Sequence, residues 1–227
     1  MEQCKIEALF DLSHTIAAPL LTRFSYPWEA LGELSSFIET LGASLDPARF
    51  DHPAPGVWIA RSASVAASAL ILPPCIIDEE AEIRHCAYLR GSVIVGRGAV
   101  VGNSCEVKNA ILFDLVQAPH FNYCGDSILG YRAHMAAGVI TSNVKGDKTP
   151  VVIRGGGEAI ETGRKKVGAM LGDFAEIGCN SVLNPGTVIG RGTRVYPLSS
   201  VRGVIGAGLI YKNAGEVVRC DVRKEKL

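Results

Sequence analysis

The run IARSASVAASALILPPCIIDEEAEIRHCAYLRGSVIVGRGAVVGNSCEVKNAILF, residues 59–113, decides the fold. Every sixth residue in it is large and apolar: Ile59, Val65, Ile71, Ile77, Ile83, Leu89, Val95, Val101, Val107 and Phe113. Four residues after these stand mostly small ones, among them Ala63, Ala69, Cys75, Ala81, Ala87, Ala99 and Cys105. Neither a helical nor a strand period gives one large and one small residue per six. A triangular coil does, with three hexapeptides closing a turn of about 18 residues. The large side chain fills the narrow prism and the small one sits where the chain bends. The expected fold is all-β, a left-handed parallel β-helix of hexapeptide repeats.

Outward from this run, the register is expected to break after Phe113 and to resume at Leu129, Met135 and Thr141. A second break precedes Leu171, Ile177, Leu183, Ile189, Val195 and Val201. The hexads amount to about six coils over residues 56–205. Residues 144–166, VKGDKTPVVIRGGGEAIETGRKK, form an inserted loop, and long insertions on rigid scaffolds are usually functional. Residues 1–55 read as an N-terminal helical or linker segment. Trp28, Leu31, Leu34, Ile38 and Leu41 have helical spacing, and Pro27 suits the first turn. The N-terminal helix and the tail, residues 206–227, are expected to cap the open ends of the coil. Flat faces invite association, so a homotrimer is expected.

Lys and Arg total 23, as do Asp and Glu, which gives no electrostatic case for nucleic acid or a membrane surface. The start MEQCKIEALFDLSH lacks a basic stretch before a long apolar run, and no apolar run is long enough to span a bilayer. The seven cysteines show no C-x-x-C spacing; they read as small buried thiols, Cys75, Cys86, Cys105 and Cys179 within the repeat. A cytoplasmic protein is expected.

Residues one coil apart share a face, about 4.8 Å up the stack. Arg90 and Lys108 are 18 apart and each follows an inward residue, so they should stack as adjacent outward cations. Such a pair repels unless an anion sits between. It reads either as a solvated ladder, with Glu106 partly neutralising it, or as a phosphate site. His120, beside Pro119 at the expected register break, is a candidate proton acceptor or a structural histidine. Asn143 ends MAAGVITSN before the insertion and could bind a sugar hydroxyl or cap the turn.

The run LRGSVIVGRGAVVGNSCEVKNAILFDLVQAPHFNYCGDSILGYRAHMAAGVITSNVKGD resembles the acetyltransferase domain of the bacterial bifunctional N-acetylglucosamine-1-phosphate uridylyltransferase and glucosamine-1-phosphate acetyltransferase. The run TGRKKVGAMLGDFAEIGCNSVLNPGTVIGRGTRVYP is similar to the archaeal sugar-1-phosphate nucleotidylyltransferase and amino-sugar acetyltransferase proteins. The APHxxYxGDS pattern with a downstream TSN is the specific part; the hexads are shared by many acyltransferases. SYPWEAL resembles the linker after the nucleotidylyltransferase domain, and this chain looks like the acetyltransferase half with that linker.

The resemblance implies an acetyl-coenzyme A-dependent N-acetyltransferase acting on an amino-sugar 1-phosphate. Arg90 and Lys108 would hold the phosphate, His120 would be the general base, and Tyr123 and Asn143 would contact the sugar. Backbone at Ala137, with Cys179, would line the donor groove, and Lys145 and Lys148 would help recognise the sugar. Two departures bear on the acceptor. Val144 follows Asn143 where bacterial members have Tyr, and His134 stands where they carry a sugar-contacting Asn. Two rivals remain: a γ-carbonic-anhydrase-type zinc site, for which FNYCGD after His120 lacks the third imidazole, and a non-catalytic scaffold or sugar-phosphate-binding protein.

Overall fold

The computed structural model describes residues 1–212 and 215–219; the tail beyond residue 219 lies outside the described residues. From Val57 to Tyr211 the chain winds as the expected left-handed parallel β-helix, with strands on three faces. The first face carries Tyr88–Arg90, the start of Glu106–Leu112, the start of Tyr123–Leu129, Ile140–Thr141, Val182–Leu183 and Ser200–Val201. The second carries Cys75–Ile77, Val93–Val95, the ends of the same two long strands, Ala169–Leu171 and Thr187–Ile189. The third runs from Ser64–Val65 through Gln117–His120 to Leu209–Tyr211. It stacks eight parallel strands, so the coil is taller than the six turns expected.

The inward residues fill the prism as the period requires. Ile77, Ile83, Leu89, Val95, Val101 and Val107 are all essentially buried, whereas Ile59, Val65 and Ile71 are half-buried because the stack ends there. The count departs from six at one corner. Val95 pairs with Leu112, not Phe113, and Leu112 with Leu129. Leu89 to Val95 turns the corner through Gly91 and Ser92, whereas Val107 to Leu112 turns it through Asn109 alone (φ 47°). Two successive coils are thereby one residue short. The coil itself continues unbroken from Leu112 through Ala118 and Cys124 to Leu129, which corrects the expected break after Phe113.

Displaced from the prism, Phe113 is still buried, but its ring packs outward on Phe10 of the N-terminal segment, with centroids 5.1 Å apart. The main helix of that segment corrects a second expectation, because it covers the second face rather than capping an end. The helix Leu34–Ala43 lies on Cys75–Ile77, Val93–Val95 and Glu106–Leu112. The helical stretch is also two helices, Pro27–Ala30 and Leu34–Ala43, separated by a turn at Gly32. Buried Asp173 ties the segment down: its carboxylate accepts from the Asp11 and Tyr131 N–H groups at 2.8 and 2.9 Å and pairs with Arg191 at 2.9 Å. The described part of the tail does cover an edge, since Val217–Arg219 pairs antiparallel with Leu209–Tyr211. Phe50–Ala54 covers the other end, antiparallel to Val57–Ala60.

The insertion is a hairpin, Val152–Gly155 against Glu158–Glu161, turning at Gly156 and Gly157, both at positive φ. Val151 and Ile153 are buried, so its base packs on the coil. No helix among the described residues is long and apolar enough to cross a membrane.

Candidate active site

The first face is bounded by two corners, and the candidate residues divide between them. One corner follows Lys108. Asn109, Asp126 and Asn143 lie there on successive short coils. Asn109 and Asp126 both adopt left-handed backbone (φ 47° and 50°), a conformation Asn and Asp tolerate better than other side-chain-bearing residues. Their side chains form a ladder. Asn109 Nδ2 donates to Asp126 Oδ1 at 2.8 Å, and Asn143 Nδ2 donates to Asp126 Oδ2 at 2.5 Å and to the Tyr123 hydroxyl at 3.2 Å. Lys108 Nζ lies 3.6 Å from Asp126 Oδ2. Lys108, Tyr123 and Asn143 are thus brought together around a buried carboxylate.

Gly125 is the residue stacked on Lys108 one coil on. A β-carbon there would sit 2.5 Å from the Tyr123 hydroxyl and 2.9 Å from Asn143 Nδ2, so glycine keeps that contact open. Burial pushes the Tyr123 phenol above its usual range, with the bond from Asn143 acting against it. The phenol keeps its proton at neutral pH and can donate.

Arg90 is on the same face, in register with Lys108 through the pairing of Leu89 with Val107. The stacked cations are not bare: Glu106 is the neutralising carboxylate expected from the sequence, and Asp126 is a second that is not. Arg90 pairs with Glu106, and Lys108 with Asp126. The Arg90 guanidinium is pushed further up by its hydrogen bond to Glu106.

The other corner precedes Tyr123 and carries His120. Its strand pairs regularly with the coil before, His120 against Asn103, so His120 is on the lattice rather than off it as expected. The ring is exposed and makes no side-chain hydrogen bond among the described residues. Buried Asn122 sets the corner instead: its Oδ1 accepts from the His120 N–H at 3.2 Å, and its Nδ2 donates to the Ala136 carbonyl at 2.8 Å. Ala137 and Cys179 follow His120 down this edge. The Gly138 N–H donates to the His120 carbonyl at 3.0 Å and the Asn180 N–H to the Ala137 carbonyl at 2.9 Å.

His134 and Lys148 stand apart within one copy of the chain. His134 is on the third face, its Nδ1 2.8 Å from Glu176 Oε2. Lys148 is exposed in the insertion, at φ 57°. Lys145, from the same segment, lines a cavity of about 630 Å³ with Ser142, Arg154, Asn184 and Arg202, next to Asn143. The cysteines also divide. Cys75, Cys105 and Cys124 are buried, and burial pushes the Cys124 thiol up to about 12, but Cys86 and Cys179 sit on exposed corners rather than inside as expected.

Sequence reading missed Asp126 and Asn109. The signal was present, because Asn109, Asp126 and Asn143 are spaced by 17, but it is visible only once the short corner is known.

No family model matches the chain. It is 32% identical over 126 residues to the bifunctional sugar-1-phosphate nucleotidylyltransferase/acetyltransferase of Sulfurisphaera tokodaii, covering 56% of this chain and 31% of that protein. It is 35% identical over 109 residues to the bifunctional protein GlmU of Methanococcus maripaludis, covering 48% and 26%. Among solved structures it is similar to PerB from Caulobacter crescentus, in complex with CoA and GDP-perosamine (TM-score 0.39, 15% identity, 71% of this chain and 56% of that one). It is also similar to the polySia-specific acetyltransferase NeuO (TM-score 0.46, 12% identity, 75% and 86%). The chain spans about a quarter to a third of the length of the curated relatives it matches. The resemblance read from the sequence is borne out: over about half its length this chain is a relative of the bifunctional sugar-1-phosphate nucleotidylyltransferase/acetyltransferases.

Proposed function

We propose that the chain is an acetyl-coenzyme A-dependent N-acetyltransferase whose acceptor is an amino-sugar 1-phosphate, glucosamine- or galactosamine-1-phosphate. One observation carries the reading: Lys108, Tyr123 and Asn143 converge on the face that also bears Arg90, and an exposed histidine stands at that face's other edge. The sequence relatives supply the reaction class.

In this reading the phosphate docks on Arg90 and Lys108, displacing or sharing their carboxylate partners. Tyr123 and Asn143 orient the sugar. The 2-amino nitrogen attacks the thioester carbonyl of the donor; a C–N bond forms and the C–S bond breaks. His120 takes the proton that the nitrogen loses, and the thiolate leaves as coenzyme A once protonated. The donor runs along the Ala137 and Cys179 edge. His134 and Lys148 enter the acceptor site from a neighbouring copy in a homotrimer. The protein works in the cytoplasm. Holding both substrates in register contributes much of the acceleration, and the base about 10²–10⁴-fold.

The test is release of coenzyme A thiol on mixing purified protein, acetyl-coenzyme A and each amino-sugar 1-phosphate. Thiol release with one of them supports the reading; none with either, at any substrate level, sinks it. A second reading, a non-catalytic sugar-phosphate-binding protein, is favoured by the carboxylates already paired to Arg90 and Lys108. Calorimetric binding of the sugar phosphate without thiol release would select it.

A further inference from the structure

Asp126 is the one carboxylate in the corner cluster, and no role in the proposed reaction uses it. Its position is unusual for a charged residue. It is buried, with its side chain 5% exposed, and it accepts hydrogen bonds from Asn109 and Asn143 and pairs with the Lys108 ammonium at 3.6 Å. Buried charges persist where they are paired and hydrogen-bonded, and removing one partner leaves the others unsatisfied. The one-residue shortening of two successive coils is what brings those three partners onto it.

The consequence is a polarity. A carboxylate paired to Lys108 offers only acceptors, so it fixes Asn143 with Nδ2 turned inward. Asn143 Oδ1 is then the atom left for a ligand, and it accepts. The Tyr123 oxygen is taken as acceptor by the same Nδ2, which leaves its proton to donate. Lys108 is held on the same face at the height of Gly125, where no side chain intrudes.

We infer that Asp126 is a positioning residue that sets the hydrogen-bond polarity of the acceptor site, turning Asn143 Oδ1 and the Tyr123 proton toward the sugar and holding Lys108 for its phosphate. This rests on the acetyltransferase reading. It assigns the site a ligand with a donor group next to an acceptor group, such as an amine or hydroxyl beside a ring or hydroxyl oxygen, and an anion one step away.

The experiment compares wild type with Asp126→Asn, an isosteric change that presents Asn143 with either a second amide N–H or a single weak acceptor. The full chain is used, and melting temperature and oligomeric state are measured first. The expected result is a KM for the amino-sugar 1-phosphate raised about tenfold or more, with KM for acetyl-coenzyme A within twofold of wild type and kcat reduced less than KM is raised. In an Asn143→Ala background the same change has a smaller effect, because the two residues act as one unit. Asn109→Ala, which leaves the charge in place but frees one side of the carboxylate, gives a smaller shift in the same direction and serves if Asp126→Asn does not fold. Unchanged sugar-phosphate KM in folded Asp126→Asn, or full additivity with Asn143→Ala, overturns the inference while leaving the acetyltransferase reading intact. If wild type binds the sugar phosphate without turnover, the enzyme reading falls, and the same comparison is made on calorimetric Kd. If wild type neither binds nor acetylates it, both fall.

Discussion

The two edges of the first face are built in opposite ways. At the Asp126 edge every side chain is held by another: two amides and an ammonium close on one buried carboxylate, and a phenol is bonded to one of the amides. At the His120 edge the buried side chain of Asn122 bonds to backbone groups, the imidazole makes no hydrogen bond among the described residues, and backbone bonds link His120, Ala137 and Cys179 down the stack. A saturated network is stiff and suits recognition, since its atoms hold their orientation before a ligand arrives. An unencumbered imidazole suits proton exchange, since no internal bond must break first. In the proposed reading the saturated edge binds the acceptor and the open edge carries the proton transfer.

Breaking the open edge is expected to have the largest effect. His120→Ala should lower kcat by about 10²–10⁴-fold with little change in KM for the sugar phosphate, read from steady-state thiol release. Activity equal to wild type would remove His120 from the chemistry. At the saturated edge the order reverses. Asn143→Ala should raise the sugar-phosphate KM about tenfold, the size of one or two hydrogen bonds, and should move kcat less.

Gly125→Ala sharpens the contrast without deleting a polar group. Its β-carbon would meet Tyr123 and Asn143 within 3 Å. A rise of a few-fold in sugar-phosphate KM, with kcat nearly intact, is expected from displacing two side chains by a few tenths of an ångström. The mildest probe is chemical. Cys179, on the open edge, and Cys86 should react with iodoacetamide in the folded protein, whereas Cys75, Cys105 and Cys124 should be protected until it unfolds. Burial holds the Cys124 thiol protonated up to a pKa of about 12, so raising the pH to 9 should not expose it to alkylation. Mass mapping after limited labelling reads this directly.

Much of the site was legible as a spacing of 18. Arg90 over Lys108 followed from it, as did the parallel coil itself. The corner was not. Leu112 and Phe113 are both apolar, so a strict count of six accepts Phe113 without complaint. The lost residue shows only in the pairing of Val95 with Leu112, where a single left-handed Asn109 replaces Gly91 and Ser92. Every polar residue beyond that point moves by one, which is why Asp126 escaped notice and His120 was expected off the lattice. The N-terminal segment was readable as apolar and helical, but its destination depended on the outward ring of Phe113 and on buried Asp173.

The sequence by itself determined the hexad, the three-sided coil and the face shared by Arg90 and Lys108. These follow from local sterics that repeat along one chain: large side chains inward, small ones at bends. Only the tertiary structure decided that Lys108 arrives with Asp126 as its carboxylate partner, that Asn143 turns its amide nitrogen inward, and that Cys86 and Cys179 face solvent. Those outcomes depend on contacts between coils. A contact between coils depends on the whole number of residues in each turn, and a change of one there moves every polar group after it against its neighbours.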